Sequence, residues 1–393
     1  MTEAPSQGSL NFGKLLAPAL VMALIGGVLC FMQYGQNAEA FYQSYLFGWT
    51  VWIVLTCGCL GVMLLSHAVR GSWSVALMRL FEAGGGPTML ILMGVLFLPL
   101  LMHGGMHAVY HHWVEPNGDK VVLWKQAFLN PTTFQIATVA YFVIWLAFAA
   151  YNRGSTLRQD RTLDPTETAK RINISVLGLI LFVLTVTLSQ THWTMSIDPH
   201  FFSAIWGVWF LASMALAAIS LGTIIVCFNA RKQPYQDVVG PKLTKDFGNM
   251  MFAFTMFWTY CTFSQFIIIW SGNLYEFTPF FYVRSNGGWA EYGAFLMFFG
   301  FFVPWMILLS PGVKANADKL KWVAIIVFGM RIFDVYYLVI PFFRKTPMPM
   351  LGDVGALLLI GGIWLAAFSA LVRKQALLPK FDNRLQEALA HEH

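Results

Sequence analysis

Charged residues are scarce in this chain of 393 residues: they make up 11% of the sequence, against 57% hydrophobic residues. So few charges exclude the solvated surface that two or three soluble domains would need. The mean hydropathy of +0.61 indicates instead an integral membrane protein embedded in a lipid bilayer. The net charge of +6 then reflects membrane topology, and no nucleic acid is expected as a partner.

Motifs of soluble enzymes are missing as well. The sequence has no P-loop, no Gly-rich dinucleotide turn after a strand and no nucleophile elbow. Its five cysteines lie in or beside apolar runs, without the clustered spacing of an iron–sulfur site or a disulfide framework; they are Cys30, Cys57, Cys59, Cys227 and Cys261. We therefore expect buried free thiols, and no metal or cofactor held by ligands of this chain.

Long apolar runs recur ten times, each about 20 residues long, which is the length of one membrane-spanning helix. They cover 15–33, 45–66, 87–109, 132–151, 173–191, 202–228, 247–270, 289–309, 320–342 and 353–372. The prediction is an all-α integral membrane protein, with residues 1–393 as a single polytopic domain. Spans 2–5 and 6–9 are expected to form two four-helix bundles of one orientation, with the first and last helices peripheral.

The basic residues are distributed unevenly between the two sides of these spans. With the N-terminus inside, 19 of the 25 Lys and Arg residues fall on the inner side. The outer side receives Lys120, Lys125, Arg284, Arg344 and Lys345, and Arg331 falls inside a span. Cytoplasmic loops carry the excess of positive charge, so both termini are predicted to be cytoplasmic.

Unusual polar residues collect at the predicted outer ends of the spans. His103 and His107 have the i,i+4 spacing that places them on one helix face. They could bond to carbonyls at the interface, handle protons or quinol, or bind a metal or haem. Gln265 and Glu291 fall in the same outer half, whereas His67 lies on the inner side.

A short polar hairpin, residues 190–207, joins the fifth and sixth spans and holds His192, Asp198 and His200. Ionisable groups so close to hydrocarbon are costly and mark either a structural or a functional role. Asp198 before Pro199 is typical of a helix N-cap, which would begin the sixth span there. A role in proton or quinol handling is the alternative.

Arg331 and Asp334 lie near the middle of the ninth span, with an i,i+3 spacing that lets them pair on one helix face. A charge at this depth costs at least about 2.5–3.5 kcal/mol. The pair should therefore face the bundle interior, either as a neutralised structural pair or as part of a proton path.

The order of these motifs resembles one family. The hairpin motif of residues 195–200 is followed by Phe263-Ser-Gln-Phe-Ile-Ile-Ile-Trp-Ser-Gly-Asn273, then by Val303-Pro-Trp-Met-Ile-Leu-Leu-Ser310 and by Arg331-Ile-Phe-Asp-Val-Tyr-Tyr-Leu-Val-Ile-Pro341. Together with the His-rich third span, they look like the ActF subunits of bacterial alternative complex III. These are relatives of the NrfD/polysulfide-reductase membrane anchors, and the resemblance extends over nearly all ten spans.

The resemblance implies a subunit of a quinol:electron-acceptor oxidoreductase in the electron transport chain of a bacterial cytoplasmic membrane. Its partners would be a second NrfD-like subunit, a periplasmic iron–sulfur protein, multihaem and monohaem c-type cytochromes and, in some complexes, a terminal oxidase. Haem c and iron–sulfur clusters would lie in those partners. This chain would support assembly, translocate protons and offer a place for quinone or quinol.

Two departures from the family pattern bear on the quinol role. After the Gly-Asn pair the family often has Pro-Glu-Glu, whereas Glu276 is the only carboxylate here. The quinol-oxidising sister subunit pairs a third-span His with a fourth-span Asp, and the span 132–151 contains no carboxylate. Proton conduction or structural support is therefore favoured. A secondary transporter and a b-type cytochrome anchor are the alternatives.

Overall fold

The computed structural model describes residues 10–162, 164 and 166–379, and over this range the chain is helical without strands. Ten helices there are long and apolar enough to cross a membrane. We number them α1 (Phe12–Gln36), α2 (Ala38–Val69), α3 (Met78–Leu101), α4 (Pro131–Thr162), α5 (Thr166–Ile197), α6 (Trp206–Phe228), α7 (Pro241–Gly272), α8 (Trp289–Leu308), α9 (Ala317–Phe342) and α10 (Leu351–Arg373). The predicted fold class is confirmed.

The helices form the two predicted four-helix bundles. In the first, α2 packs on α3, α3 on α4, α4 on α5, and α5 returns to α2. In the second, α6 packs on α7, α7 on α8, α8 on α9, and α9 returns to α6. Because α6 follows α2 by four spans, an even number, the two bundles share one orientation.

The bundles meet where α2 contacts α6, and these two helices are the most buried of the ten. Gly58 permits the close approach, because a Cβ atom there would lie 2.1 Å from the Met214 carbonyl oxygen. Small residues at such contacts allow helix backbones to approach each other in a membrane. The centre of the molecule is therefore the junction between the bundles.

Helices α1 and α10 pack chiefly on each other, and α10 also contacts α2 and α3. Gly26 of α1 lies directly against the α10 backbone, where a Cβ atom would approach the Leu359 nitrogen to 2.1 Å. The opposite face of α1 exposes large apolar side chains such as Leu24 and Phe31, as expected for a helix at the lipid boundary. The prediction of peripheral terminal helices is confirmed.

Helix α3 differs from its predicted span, 87–109. It begins at Met78 and is interrupted at Gly85 and Gly86 before it continues from Pro87 to Leu101. A second break at Met102 then starts a separate short helix, His103–Val114. The interruption packs tightly against α2, because a Cβ at Gly85 would approach the Leu60 nitrogen to 2.4 Å.

Two of the basic residues assigned to the inner side, Lys380 and Arg384, lie outside the described residues.

Candidate functional site

The polar residues predicted at the outer ends of the spans do not form one site. Among them, His103, His107, His200 and Glu291 are exposed, whereas His192 and Gln265 are buried in different bundles. Glu291 stands in the first turn of α8 on its exposed face. His67 is buried in the last turn of α2, at the opposite end of the molecule.

His103 and His107 share one face of the short helix, as their spacing predicts. Their rings are nearly parallel, with centroids 6.3 Å apart. That face points outward, and His107 Nε2 lies 3.3 Å from an exposed Glu115 carboxylate oxygen. The two histidines therefore belong to the surface of this chain and do not line its interior.

In the hairpin, Asp198 is not the N-cap of the sixth span, because α6 begins only at Trp206. Its carboxylate instead accepts a hydrogen bond from the His200 amide at 3.0 Å, which closes a local turn. His200 Nε2 lies 2.8 Å from the Asp119 carboxylate. The hairpin is thus bound to the outer loop that follows α3.

His192 lies deeper than its sequence position near the outer edge indicates. Its ring is stacked on Phe128 with centroids 4.0 Å apart, and its Nδ1 lies 2.8 Å from the Tyr141 hydroxyl. Nε2 faces the Phe128 carbonyl oxygen at 3.4 Å. A neutral ring that donates from Nε2 and accepts at Nδ1 satisfies both contacts. His192 therefore closes the outer end of the first bundle.

Gln265 of α7 accepts a hydrogen bond from the Ser203 hydroxyl, in the segment before α6. This contact ties the hairpin to the second bundle. Gln265 is buried and its partner lies outside its own helix, so the hydrogen bond between them joins two packed elements.

Arg331 and Asp334 pair inside the second bundle, as predicted. Arg331 Nη1 donates to Asp334 Oδ2 at 3.1 Å, and both side chains are at least 97% buried. The same oxygen accepts from Ser213 of α6 at 3.0 Å and from the Trp258 indole of α7 at 2.9 Å. The Arg331 guanidinium also lies over the Trp258 ring, 4.2 Å from its centroid.

This pair retains hydrogen-bonding capacity. Arg331 Nε and Nη2 and Asp334 Oδ1 are buried and have no hydrogen-bond partner among the described residues. The buried Thr255 hydroxyl on α7, one turn before Trp258, also has no hydrogen-bond partner among the described residues. Because an unsatisfied buried polar atom costs about 1–3 kcal/mol, these groups mark a polar site within an apolar bundle.

A second charged network was not anticipated from the sequence. Glu82 of α3 accepts from Arg79 Nη1 at 2.9 Å and from Arg153 Nη1 of α4 at 2.5 Å, and Arg79 also pairs with Asp160. Two positive and two negative groups thus form a neutral cluster at the start of α3. The i,i+3 spacing of Arg79 and Glu82 beside an apolar run was the signal that could have revealed it.

A third network joins elements that are remote in sequence. Arg344 donates to both carboxylate oxygens of Asp353, at 2.5 and 3.1 Å, and to the Ser44 hydroxyl at 2.9 Å. Nearby, the buried Arg284 donates to the backbone carbonyls of Phe280, Tyr337 and Leu338. Local sequence patterns do not predict these arrangements, because Ser44, Tyr337 and Leu338 lie far along the chain from the arginines they contact.

A metal or haem site finds little support in the described part of the chain, which contains no group of three or more His, Cys, Asp or Glu side chains placed to hold a metal ion. A bis-histidine haem needs two histidines at matching depth. Of the described histidines, only His67 and His192 are buried. They terminate α2 and α5, which run in opposite directions, and so lie at opposite ends of the bundle.

The chain matches no protein-family model, and no curated protein resembles it significantly in sequence. In the described residues, the fold and the buried sites define a multi-pass membrane protein with ten candidate spans: two four-helix bundles with charged pairs in their interior, and two peripheral helices.

Proposed function

We propose that this chain is an NrfD-like membrane subunit of a bacterial quinol:electron-acceptor oxidoreductase, of the kind found in alternative complex III. It would contribute to assembly and move protons through the second bundle. The motif order in the sequence supports the family, and the paired four-helix bundles are compatible with it. The partners would be a second NrfD-like subunit, a periplasmic iron–sulfur protein and c-type cytochromes.

The observation that carries the proton role is the Arg331–Asp334 pair. Buried ionisable groups in membrane helices are expensive and generally functional. This pair leaves Asp334 Oδ1 and two guanidinium nitrogens without partners among the described residues, so it has buried polar atoms that can take part in proton exchange. In the proposed role, Asp334 binds and releases the proton at Oδ1, while Oδ2 stays anchored by Ser213 and Trp258.

Helix α8 packs close to this pair at Gly300. A Cβ atom there would lie 3.4 Å from Arg331 Nη2 and 3.6 Å from both Leu296 and Trp258, which are ordinary van der Waals contacts. We assign no quinol step to the second bundle and place quinol oxidation, in this proposal, on the second membrane subunit.

The experiment that tests the proposal is purification of the native complex in mild detergent, followed by identification of the co-purifying chains by mass. Recovery of c-type cytochromes and an iron–sulfur protein would support it, and recovery of this chain alone would contradict it. A visible spectrum of the isolated chain is the complementary test, because a reduced b-haem band would favour a cytochrome anchor.

A secondary transporter is the second candidate, and one observation favours it. Interrupted helices line the substrate sites of many transporters, and α3 is interrupted beside the Arg79–Glu82 cluster. Both arginines bind Glu82 through Oε2, and Glu82 Oε1 and Arg79 Nε have no partner among the described residues. Uptake of small ions or solutes by liposomes that contain the isolated chain would support this alternative.

A further inference from the structure

The guanidinium of Arg331 presents an open edge to the bundle interior. Its Nη1 binds Asp334, so the Nε and Nη2 donors, which point to the same side of the planar group, remain without a partner in the described residues. Such a two-donor edge is shaped for an acceptor that receives both hydrogen bonds. Asp334 Oδ1 adds an unpaired acceptor to the same ion pair.

Helix α8 changes its geometry opposite this edge. Residues Phe298–Phe302 form a π-helical turn in which the Val303 amide donates to the Phe298 carbonyl, five residues back. Gly300 lies in this turn and faces Arg331 Nη2. Turns of this kind are rare and frequently occur at functional sites. Because Gly300 has no side chain, it does not cover the open edge of the Arg331 guanidinium.

The charge of the site decides what kind of molecule it can take. Arg331 and Asp334 together are neutral, so an added anion or cation would bring an uncompensated charge into the bundle, at a cost of several kcal/mol. A small neutral molecule that accepts from the Nε and Nη2 donors of Arg331 adds no charge to the site. Water is such a molecule, and it is the usual partner of buried unpaired polar groups.

We propose that Gly300 and Arg331 form a binding site for an ordered water molecule. Its oxygen accepts from Arg331 Nε and Nη2, on the side of the guanidinium away from the Nη1 bond to Asp334. The site itself follows from geometry and charge. Its use in proton movement past the Arg331–Asp334 pair rests on the proposed function.

The test is a structure of the full chain in lipid nanodiscs or in its complex, at a resolution that shows ordered water, together with matched variants. The wild type should show a density peak at hydrogen-bonding distance, about 3 Å, from both guanidinium nitrogens. In Gly300→Ala the added methyl should remove the peak. Gly329→Ala in α9 is the control, because a Cβ there meets no atom within 4 Å, and it should keep the peak.

Two outcomes would overturn the water site. One is an unoccupied guanidinium edge in a wild-type map that resolves other buried waters. The other is an anomalous signal at this position after bromide soaking, which would assign an anion. Proton uptake is measured separately in liposomes: a retained water peak with normal proton movement in Asp334→Asn would contradict the proton role and leave the water site intact.

Discussion

Arg344 binds Asp353 through two hydrogen bonds, at 2.5 and 3.1 Å, and the same guanidinium reaches Ser44 of α2. Asp353 also accepts from the Ser44 hydroxyl at 2.7 Å and from the Met350 amide at 2.7 Å. Arg344, on the segment between α9 and α10, and Asp353, in the first turn of α10, thus attach the peripheral α10 to the first helix of the first bundle. The bidentate geometry makes this the best-formed ion pair of the described chain.

Removal of one member of this pair should destabilise the protein. Arg344→Met leaves a buried carboxylate without its cation, and the expected loss is about 3–5 kcal/mol. The double variant Arg344→Met/Asp353→Leu should recover most of that loss, because apolar groups of similar volume can replace a buried pair. Thermal unfolding in detergent checks both, and equal destabilisation of the single and double variants would contradict the prediction.

Asp334→Asn should impair both stability and proton movement. The amide cannot neutralise Arg331, so unfolding should become easier by about 3–5 kcal/mol. The double variant Arg331→Met/Asp334→Leu separates the two effects, since it should regain stability without regaining proton uptake. Proton movement is followed with a pH-sensitive dye in liposomes that contain the assembled complex. Normal uptake by the double variant would remove the pair from the proton path.

Glu82→Gln should weaken the inner end of the first bundle. The substitution leaves Arg79 and Arg153 facing each other with only Asp160 as a counter-charge, and the expected cost is again about 3–5 kcal/mol. Hydrogen exchange of the Met78–Gly84 helix should rise more than that of α6. If stability is unchanged and solute uptake by liposomes is lost, the cluster is a transport site.

The contact between Asp119 and His200 should depend on pH. Desolvation acts to raise the pKa of Asp119, but hydrogen bonds from the Val121 and Val122 amides and the contact with His200 lower it below its usual range. The ionised carboxylate therefore stabilises this loop above its unfolded pKa of about 3.9, and the effect is lost as the pH falls through the lower, folded value.

Protection of the amides of residues 120–124 against hydrogen exchange, corrected for the intrinsic rate, should fall between about pH 5 and pH 3. Asp119→Ala should show the lower protection already at pH 5, because it also removes the side-chain cap of the short helix Lys120–Trp124. A wild-type protection factor that stays constant over this range would contradict the prediction.

His103→Ala and His107→Ala should leave the isolated chain as stable as the wild type, within about 0.5 kcal/mol, because both side chains are exposed. If this surface contacts a partner subunit, purification of the double variant His103→Ala/His107→Ala in mild detergent should yield less of the complex than the wild type. Glu291→Ala, an exposed change on the other bundle, is the control. A stability loss in the isolated chain would show that the histidines pack internally.

Much of the fold was predictable because the bilayer constrains it strongly. A helix that crosses hydrocarbon must be long, apolar and internally hydrogen-bonded, and ten such segments were found at nearly the predicted positions. The exception is α3, whose predicted start at residue 87 leaves out the helical segment Met78–Gly84. Its ion pairs and close packing against α2 are tertiary features.

The buried sites, like the fold, were predictable from the sequence only in part. Arg331 and Asp334 were identified because partners three residues apart on one helix meet through local geometry alone. His103 and Glu291 are exposed whereas His192 and Gln265 are buried in different bundles, because a similar position along a membrane span does not fix the direction of a side chain.

The sequence by itself determined the class of protein, the ten helices and the helical spacing of its charged pairs, because each depends on residues close together along the chain. Only the tertiary structure decided that α2 and α6 form the centre, that His103 faces outward while His192 is enclosed, and that Gly300 lies opposite Arg331. These relationships depend on the rotation and approach of helices far apart in sequence, which packing sets and local patterns do not encode.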